Sequence, residues 1–342
     1  MTTLVNRPLP AGVVAPAGRR RPLLTATVLL AVLLAGVVGS VGIGSSAADP
    51  LSSLAGLARL DDATILTIAN VRLPRTVLGI AVGAALAVAG SLMQSLTRNP
   101  LASPQTFGVT AGASVAMVAT IVYTPWTSTL GAFPALLGGV LGGVLVWSLA
   151  SRGSLGLAAL ALAGMSVHLL LTALVQGMAV LNDASVDIVF WLAGSISGAQ
   201  WNDVTLATPL IGLGVATAAV MGRQLSILAL GPETATTFGQ NYGLVSALVG
   251  ALVVLLAGAA VAVSGPIGFV GLIVPHLIRL AAGHQERWSI PLCALSGATM
   301  VTTADVLGRV LFFPSEFPAG IVTALVGTPL FLVLVRRSRR TS

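Results

Sequence analysis

Long apolar runs follow one another along almost the whole sequence, and they restrict the possible fold more than any other feature. A helix needs about 20 apolar residues to cross a bilayer, and most of the runs are close to that length. Since 56% of the residues are hydrophobic and only 8% are charged, a soluble domain could not keep its surface hydrated. The sequence therefore predicts an all-α membrane protein with about ten transmembrane helices. The runs occupy residues 23–43, 76–96, 106–124, 130–150, 155–181, 204–222, 245–263, 267–282, 290–308 and 318–335.

The arginines indicate how these helices are oriented. An even number of spans puts both termini on one side, and a cytoplasmic location for them places 13 of the 17 basic residues inside, in agreement with the positive-inside rule. We predict a disordered cytoplasmic tail at 1–22, a ten-helix transmembrane domain at 23–337 and a short cytoplasmic tail at 338–342. The first run is long for a signal peptide, which favours a retained first helix. The arginines left outside are Arg59, Arg72, Arg75 and Arg309.

The basic and sulfur-containing residues limit the chemistry that the chain can perform. All the basic residues are arginines, whereas a P-loop ATPase needs a lysine, so ATP hydrolysis would have to take place on a partner. Cys293 is the only cysteine, which excludes an intrachain disulfide and a thiolate metal cage. No HExxH or Gly-x-Ser-x-Gly motif occurs. We predict neither an enzyme nor a metal centre.

The segment Leu228–Gly243 is polar and can form a helix, although it lies between two apolar runs. Pro232 suits a first helical position, and a carboxylate at Glu233 faces the positive end of the helix dipole. Gly239 is a typical helix stop. We predict a short exposed helix here that a partner outside the membrane can grip.

Glycines spaced four residues apart in the run at 130–150 predict a close helix contact. Gly138 with Gly142, and Gly139 with Gly143, are small-xxx-small pairs. The contact could lie within one bundle or between two copies of the chain, and packing within the bundle is the simpler interpretation.

Five motifs, in this order, resemble those of the FecCD family of permeases. They are RLPR from Arg72, RNPLA from Arg98, LALGPETATTFG from Leu228, GPIGFVGLIVPHLIR from Gly265 and PAGIVTALVGTP from Pro318. FecCD permeases are the membrane subunits of type II ABC importers for iron-siderophore complexes, haem and vitamin B12. The resemblance covers about residues 70–337.

The resemblance implies a fold like that of the vitamin B12 importer permease, with ten helices. It also implies several partners: a second permease subunit, identical or related, two ATP-binding cassette ATPase subunits, an extracytoplasmic solute-binding protein and membrane lipid. ATP and Mg would bind the ATPase subunits, so this chain would hold no cofactor. No nucleic acid is implied. The cargo expected is an iron-siderophore complex, with haem or cobalamin as alternatives.

The resemblance also carries roles onto individual residues. The ATPase-coupling loop maps to Leu230, Gly231, Glu233, Ala235 and Gly239. Docking of the binding protein maps to Arg72, Arg75 and Arg309; the alternative is that these arginines anchor helix ends or pair with Asp305 and Asp62. The translocation path follows the runs at 155–181 and 318–335, with Met165, His168, Gly320 and Gly327 as candidates; for His168, a hydrogen-bonded core histidine is the alternative.

An ion-coupled secondary transporter is the alternative from another class. Such transporters keep a carboxylate near the bilayer centre, where its burial costs on the order of 3 kcal/mol and is retained only for function. Asp305 and Glu316 fall near the outer ends of predicted spans, so the coupling carboxylate is missing from this assignment.

Overall fold

A computed structural model of the chain describes residues 20–43, 62–124, 130–151, 157–182, 186–283, 286–311 and 315–338. Their regular structure is helical. The α-helices are α1 (Arg20–Gly42), α2 (Asp62–Thr67), α3 (Leu73–Thr97), α4 (Val109–Tyr123), α5 (Phe133–Ser151), α6 (Leu157–Leu181), α7 (Val186–Leu192), α8 (Trp201–Val220), α9 (Gly222–Ala229), α10 (Pro232–Thr237), α11 (Tyr242–Ser264), α12 (Val270–Ala282), α13 (Glu286–Leu311) and α14 (Ala319–Ser338). A π-helical turn at Ile68–Arg72 joins α2 to α3, and a 3-10 turn at Pro104–Phe107 precedes α4.

Each apolar run of the sequence coincides with one of these helices. Among the described residues, six helical stretches are long and apolar enough to cross a membrane: Arg21–Gly42, Thr64–Thr97, Leu162–Leu181, Trp201–Val220, Tyr242–Ser264 and Arg287–Leu311. The other four runs form shorter apolar helices. The all-α membrane fold is confirmed. Of the predicted tails, residues 1–19 and 339–342 lie outside the described part of the chain.

Helix α3 is the centre of the bundle, and glycines let its neighbours approach it closely. It packs against α8, α11, α12 and α13. A Cβ atom on Gly83 would lie 2.2 Å from the carbonyl oxygen of Gly297 in α13, and one on Gly90 would lie 1.9 Å from that of Gly271 in α12. Because no side chain fits between the backbones, α3 is held by contacts along most of its length.

The close helix contact predicted from the glycine pairs lies between α4 and α5. A Cβ atom on Gly138 would lie 2.4 Å from the carbonyl oxygen of Gly112, and one on Gly142 would lie 2.6 Å from that of Gly108. Gly143 faces α11 instead, where a Cβ atom would lie 2.5 Å from a methyl group of Val254. These contacts are within the chain, as the simpler interpretation predicts.

The bundle has two ends, which are named by the arginines at the two ends of α3. At the Arg98 end lie the last turn of α3, the short helices α9 and α10, and the residues around Gly283. At the Arg75 end lie the first turn of α3, the last turns of α1 and α13, and Glu316.

Candidate functional site

The short helix α10 begins and ends where the sequence predicts. Pro232 is its first residue and follows Gly231, whose φ of 104° favours glycine. At the other end the N–H of Gly239 donates to the carbonyl of Thr236, and the N–H of Gln240 donates to that of Ala235, both at 2.9 Å. These two bonds form a Schellman motif, in which a glycine with φ near 73° ends the helix.

The outer face of α10 is exposed, whereas its inner face is anchored. Ala235 is fully buried, and Glu233 on the opposite face is exposed. The apolar side chains of Leu230 and Phe238 flank the helix and are 60% and 65% exposed. We refer to Leu230, Glu233 and Phe238 together as the α10 surface. Exposed apolar side chains at the polar end of a membrane bundle are typical of a protein contact.

Contacts at both ends of α10 hold it to the bundle. Gly231 passes beside the side chain of Arg98 at the end of α3, where a Cβ atom would lie 2.9 Å from its Nη1. Nε2 of Gln240 donates to the carbonyl of Gln224 in α9 at 3.2 Å. The side chain of Asn241 caps α11 by accepting the N–H of Leu244 at 3.0 Å. The helix is therefore connected to α3, α9 and α11.

The residues assigned to the coupling loop divide into two kinds. Leu230, Glu233 and Gly239 are exposed and available to a partner. Gly231 and Ala235 are buried, so their contribution is to shape and support the loop.

At the Arg75 end, the carboxylate of Asp305 lies between two arginines. Nη2 of Arg75 donates to one oxygen at 2.8 Å, and Nη2 of Arg309 donates to the other at 2.8 Å. Arg75, Asp305 and Arg309 are only 5%, 2% and 4% exposed. Nη1 of Arg75 also donates to Glu316, at 2.9 Å. Two positive and two negative charges are thus held together, which we call the Asp305 cluster.

The arginines extend the Asp305 cluster to the end of α1. Nη1 of Arg309 donates to the carbonyl of Ile43 at 2.9 Å, and its Nη2 donates to Oγ of Ser40 at 2.8 Å. Nη1 of Arg72 donates to the carbonyl of Val41 at 2.8 Å. The last carbonyls of a helix have no partner within it, so both arginines satisfy acceptors that α1 leaves open.

The three arginines assigned to docking therefore lie together but in different surroundings. Arg75 and Arg309 are buried and paired with Asp305, as the alternative expected, whereas the side chain of Asp62 lies outside the described part; the docking role of these arginines stays a prediction. Arg72 is half-buried, and among the described side chains no carboxylate pairs with it.

Sequence reasoning missed two members of this cluster. Glu316 lies in the short segment between the last two apolar runs. Ser40 is a serine near the end of the first run. Neither belongs to a motif that signals a charge pair. The i,i+4 spacing of Asp305 and Arg309 was the one local sign that an ion pair forms here.

Comparison with known proteins identifies the family. The family model of the FecCD transport family matches residues 27–337. The chain belongs to the FecCD transport family. This FecCD chain is 47% identical over 274 residues to the Fe(3+)-citrate import system permease protein YfmD of Bacillus subtilis, covering 80% of this chain and 82% of that protein. It is 40% identical over 278 residues to the hemin transport system permease protein HmuU of Yersinia pestis, covering 79% and 83%.

A solved structure supports the same assignment for the fold of this FecCD chain. That structure is assigned to the metal-chelate type of ABC transporter and is in an inward-facing conformation. The two chains share a TM-score of 0.79 and 32% sequence identity, with 92% of this chain and 99% of the other covered.

Two of the residues predicted for the translocation path of this FecCD chain lie on α6. Met165 is 59% exposed, next to Leu169 and Leu170, which are 65% and 61% exposed. His168 is half-buried, and its Nδ1 has no hydrogen-bond partner among the described residues. The path role of His168 stays a prediction.

The two glycines of α14 are in close contact with the chain's own backbone and side chains. The N–H of Gly320 donates to the carbonyl of Gly194 at 2.8 Å, and a Cβ atom there would lie 2.2 Å from the carbonyl oxygen of Ala193. A Cβ atom on Gly327 would lie 2.7 Å from Cβ of Phe269. Both glycines permit close packing, and their path role stays a prediction.

Asp203 and Asp305 are the carboxylates described within the long membrane helices, and neither is free for ion coupling. Asp305 is taken up by Arg75 and Arg309. Asp203 lies in the first turn of α8 and accepts the N–H of Gln200 at 3.1 Å, where it completes a capping box. Both side chains have structural partners, which is unlike the coupling carboxylate of a secondary transporter.

Proposed function

We propose that this chain is the permease subunit of an ABC importer that carries an iron-siderophore complex across the cytoplasmic membrane. Two permease subunits form the path, two separate ATPase subunits supply the energy, and a solute-binding protein delivers the cargo. The observation that carries the proposal is the α10 surface, an exposed and firmly capped helix at one end of a bundle of membrane helices.

The α10 surface is the contact for an ATPase subunit. Its apolar residues, Leu230 and Phe238, can enter a groove on a partner, and the carboxylate of Glu233 can pair with a basic residue there. Because Ala235 is buried behind this face, a displacement of α10 by the ATPase subunit would move α9 and α11 with it. This role places the Arg98 end, and with it both termini, in the cytoplasm.

The solute-binding protein docks at the opposite, Arg75 end. Arg72 is the arginine best suited to meet an acidic residue of that protein, because its known partners are neutral carbonyl groups. Arg75 and Arg309 position this surface, because Asp305 and Glu316 already balance their charges. Interactions between exposed charges mainly affect the rate and specificity of association.

The names of the relatives support a ferric chelate as cargo. YfmD belongs to an Fe(3+)-citrate import system and HmuU to a hemin transport system. Both cargoes are iron complexes whose ligands come with the metal, so the permease has to pass a bulky chelate and does not need to coordinate iron itself. Haem or cobalamin remains the alternative cargo.

The path lies between α6 and the second permease subunit. Its apolar exposed face, around Met165, offers little polar attachment for a passing chelate, and His168 supplies one open hydrogen-bonding nitrogen. This assignment leaves selectivity mainly to the binding protein.

Uptake into vesicles tests the proposal. Proteoliposomes that contain the full chain, its partner permease and the ATPase subunits are loaded with ATP and given radioactive ferric siderophore on its binding protein. We expect uptake that requires ATP and survives a protonophore. Uptake abolished by the protonophore would instead indicate an ion-coupled transporter, and parallel runs with hemin and cobalamin distinguish the cargoes.

Substitution of Glu233 tests the coupling role. We expect Glu233→Arg to insert normally and to keep its affinity for the binding protein, while uptake per ATP hydrolysed falls roughly tenfold, because a reversed charge on the α10 surface weakens its contact with the ATPase subunit. Arg287→Glu is the matched control, because it reverses an exposed charge at the same end without touching the α10 surface. Normal coupling in Glu233→Arg would contradict the assignment.

A further inference from the structure

A cavity of about 460 Å³ lies at the Arg98 end, between α3, α9, α12 and α13. Its wall combines apolar side chains, such as Leu225 and Ile290, with four serines, Gln94 and two arginines, Arg98 and Arg279. Small-molecule sites in proteins commonly have volumes of about 300–1,000 Å³ and a mostly apolar wall with a few polar groups. The cavity has the size and composition of a binding site.

Arg279 is held in a fixed position in this wall. Its Nη2 donates to Oε1 of Gln94 at 2.5 Å. Gln94 is only 5% exposed, and its Nε2 donates to the carbonyls of Gly271 and Leu272 at 3.3 and 3.2 Å. The amide is thereby oriented with its oxygen towards the arginine. A guanidinium has five N–H donors, and most of those of Arg279 have no partner among the described residues.

The positive charge of the cavity is not balanced by the described side chains. All three described ion pairs belong to Arg75, Asp305, Arg309 and Glu316, at the other end of the bundle. Arg279 is half-buried and bonded to a neutral amide, so among the described side chains its charge has no opposite charge beside it. Glu286 begins α13 near this end, and its side chain lies outside the described part. Glu286→Gln is therefore one of the variants to be tested.

We propose that this cavity binds a phosphate-type oxyanion, with Arg279 and Arg98 as its ligands. The planar guanidinium group matches phosphate oxygens with two parallel hydrogen bonds. The cavity is much larger than a bare phosphate, and its apolar wall at Leu225 and Ile290 suits a group attached to the phosphate. Either an anionic phospholipid headgroup or free phosphate supplies this chemistry.

Bound anion would connect the parts that support α10. Ser226 and Leu225 lie on α9, which leads directly into α10, whereas Arg279 lies on α12. Arg98 lines the cavity and also touches Gly231, at the start of α10. An anion held by both arginines therefore stiffens the support of the α10 surface. Only this last step rests on the proposed coupling role; binding itself does not.

The test uses the full chain in nanodiscs of neutral phosphatidylcholine. In one arm, inorganic phosphate is titrated against chloride at equal ionic strength, and thermal unfolding reports binding. In the other arm, phosphatidylglycerol is added to the nanodisc, and native mass spectrometry counts the lipids retained. We expect saturable binding of one phosphate-bearing ligand in one of the two arms, which identifies its source.

Substitutions locate the binding. Arg279→Gln should weaken the wild-type affinity about tenfold, since it removes a charge-assisted hydrogen bond, and Arg98→Gln should weaken it as well. If Arg279→Gln does not fold, Arg279→Lys is measured in its place, because it keeps the charge but cannot form two parallel hydrogen bonds to phosphate. Arg223→Gln is the matched control, because it removes an exposed arginine of α9 that does not line the cavity, and it should bind like the wild type.

Several outcomes would overturn the proposal. One is the lack of saturable binding in both arms. Another is equal weakening by Arg223→Gln and Arg279→Gln, since the attraction would then be a general surface effect. A third is binding that occurs only in Glu286→Gln, because Glu286 would then occupy the site from within the chain. None of these measurements depends on transport, so failure here leaves the proposed function untouched.

Discussion

The two ends of the bundle use arginine in opposite ways. At the Arg75 end, Arg75 and Arg309 are almost fully buried and share the carboxylate of Asp305. At the Arg98 end, Arg279 is bonded to the neutral amide of Gln94, and Arg98 is exposed beside Gly231. Arg75 and Arg309 are balanced within the chain, whereas Arg98 and Arg279 have no described carboxylate partner and can offer positive charge to a ligand.

This difference separates a structural role from a binding role. Breaking a buried ion pair is costly because it leaves an uncompensated charge, so the Asp305 cluster acts mainly to fix α1, α3 and α13 against one another. A guanidinium with open donors can take an external anion without first losing an internal partner. Arginine thus has a structural role in Arg75 and Arg309, whereas Arg98 and Arg279 are available to bind a ligand.

The largest expected effect is that of removing the shared carboxylate. Asp305→Asn leaves the two buried guanidinium groups without their common anion and should lower the free energy of unfolding by about 3–5 kcal/mol. Unfolding of the purified chain by heat or by denaturing detergent measures this. Glu233→Gln, which changes an exposed carboxylate at the other end, should stay within about 0.5 kcal/mol of the wild type. A stable Asp305→Asn variant would mean that the two ends do not differ in this way.

A smaller effect is expected from enlarging the buried side of α10. Ala235 is fully buried, so the larger side chain of Ala235→Leu overpacks its site and should lower the free energy of unfolding by about 1–3 kcal/mol. Thr236→Leu places the same side chain on the exposed face of the helix and should change stability by less than about 0.5 kcal/mol. The same unfolding measurement compares them. Equal effects would show that the two faces of α10 are not distinct, which would weaken the case for the α10 surface.

The smallest expected effect concerns the partly exposed member of the Asp305 cluster. The side chain of Glu316 is 25% exposed, and Arg75 keeps Asp305 as its anion when Glu316 is replaced, so Glu316→Gln should lower stability by only about 1 kcal/mol. It unbalances the cluster, however, and should strengthen association with an acidic binding-protein surface roughly two- to fivefold at low salt. Glu316→Asp keeps the charge and should match the wild type. Unchanged association in Glu316→Gln would argue against docking of the binding protein at the Arg75 end.

Local sequence was sufficient for the helices and for the ends of α10. Apolar length predicted each membrane helix, because a span requires a minimum apolar length wherever it lies in the fold. Proline at the first turn and glycine just past the last one predicted where α10 starts and stops, since these preferences depend on the backbone of a few adjacent residues. Small residues four apart predicted the contact between α4 and α5.

What the sequence by itself determined was therefore the all-α membrane fold, the family and the position of the exposed helix. Only the tertiary structure decided which arginines are neutralised, because Arg75 and Asp305 are 230 positions apart in the chain, and only packing brings them within hydrogen-bonding distance. It also decided that Ala235 faces inward and that Arg98 and Arg279 line one cavity. The physical reason is that caps and apolar length act over a few neighbouring residues, whereas the balance of a buried charge depends on every element packed around it.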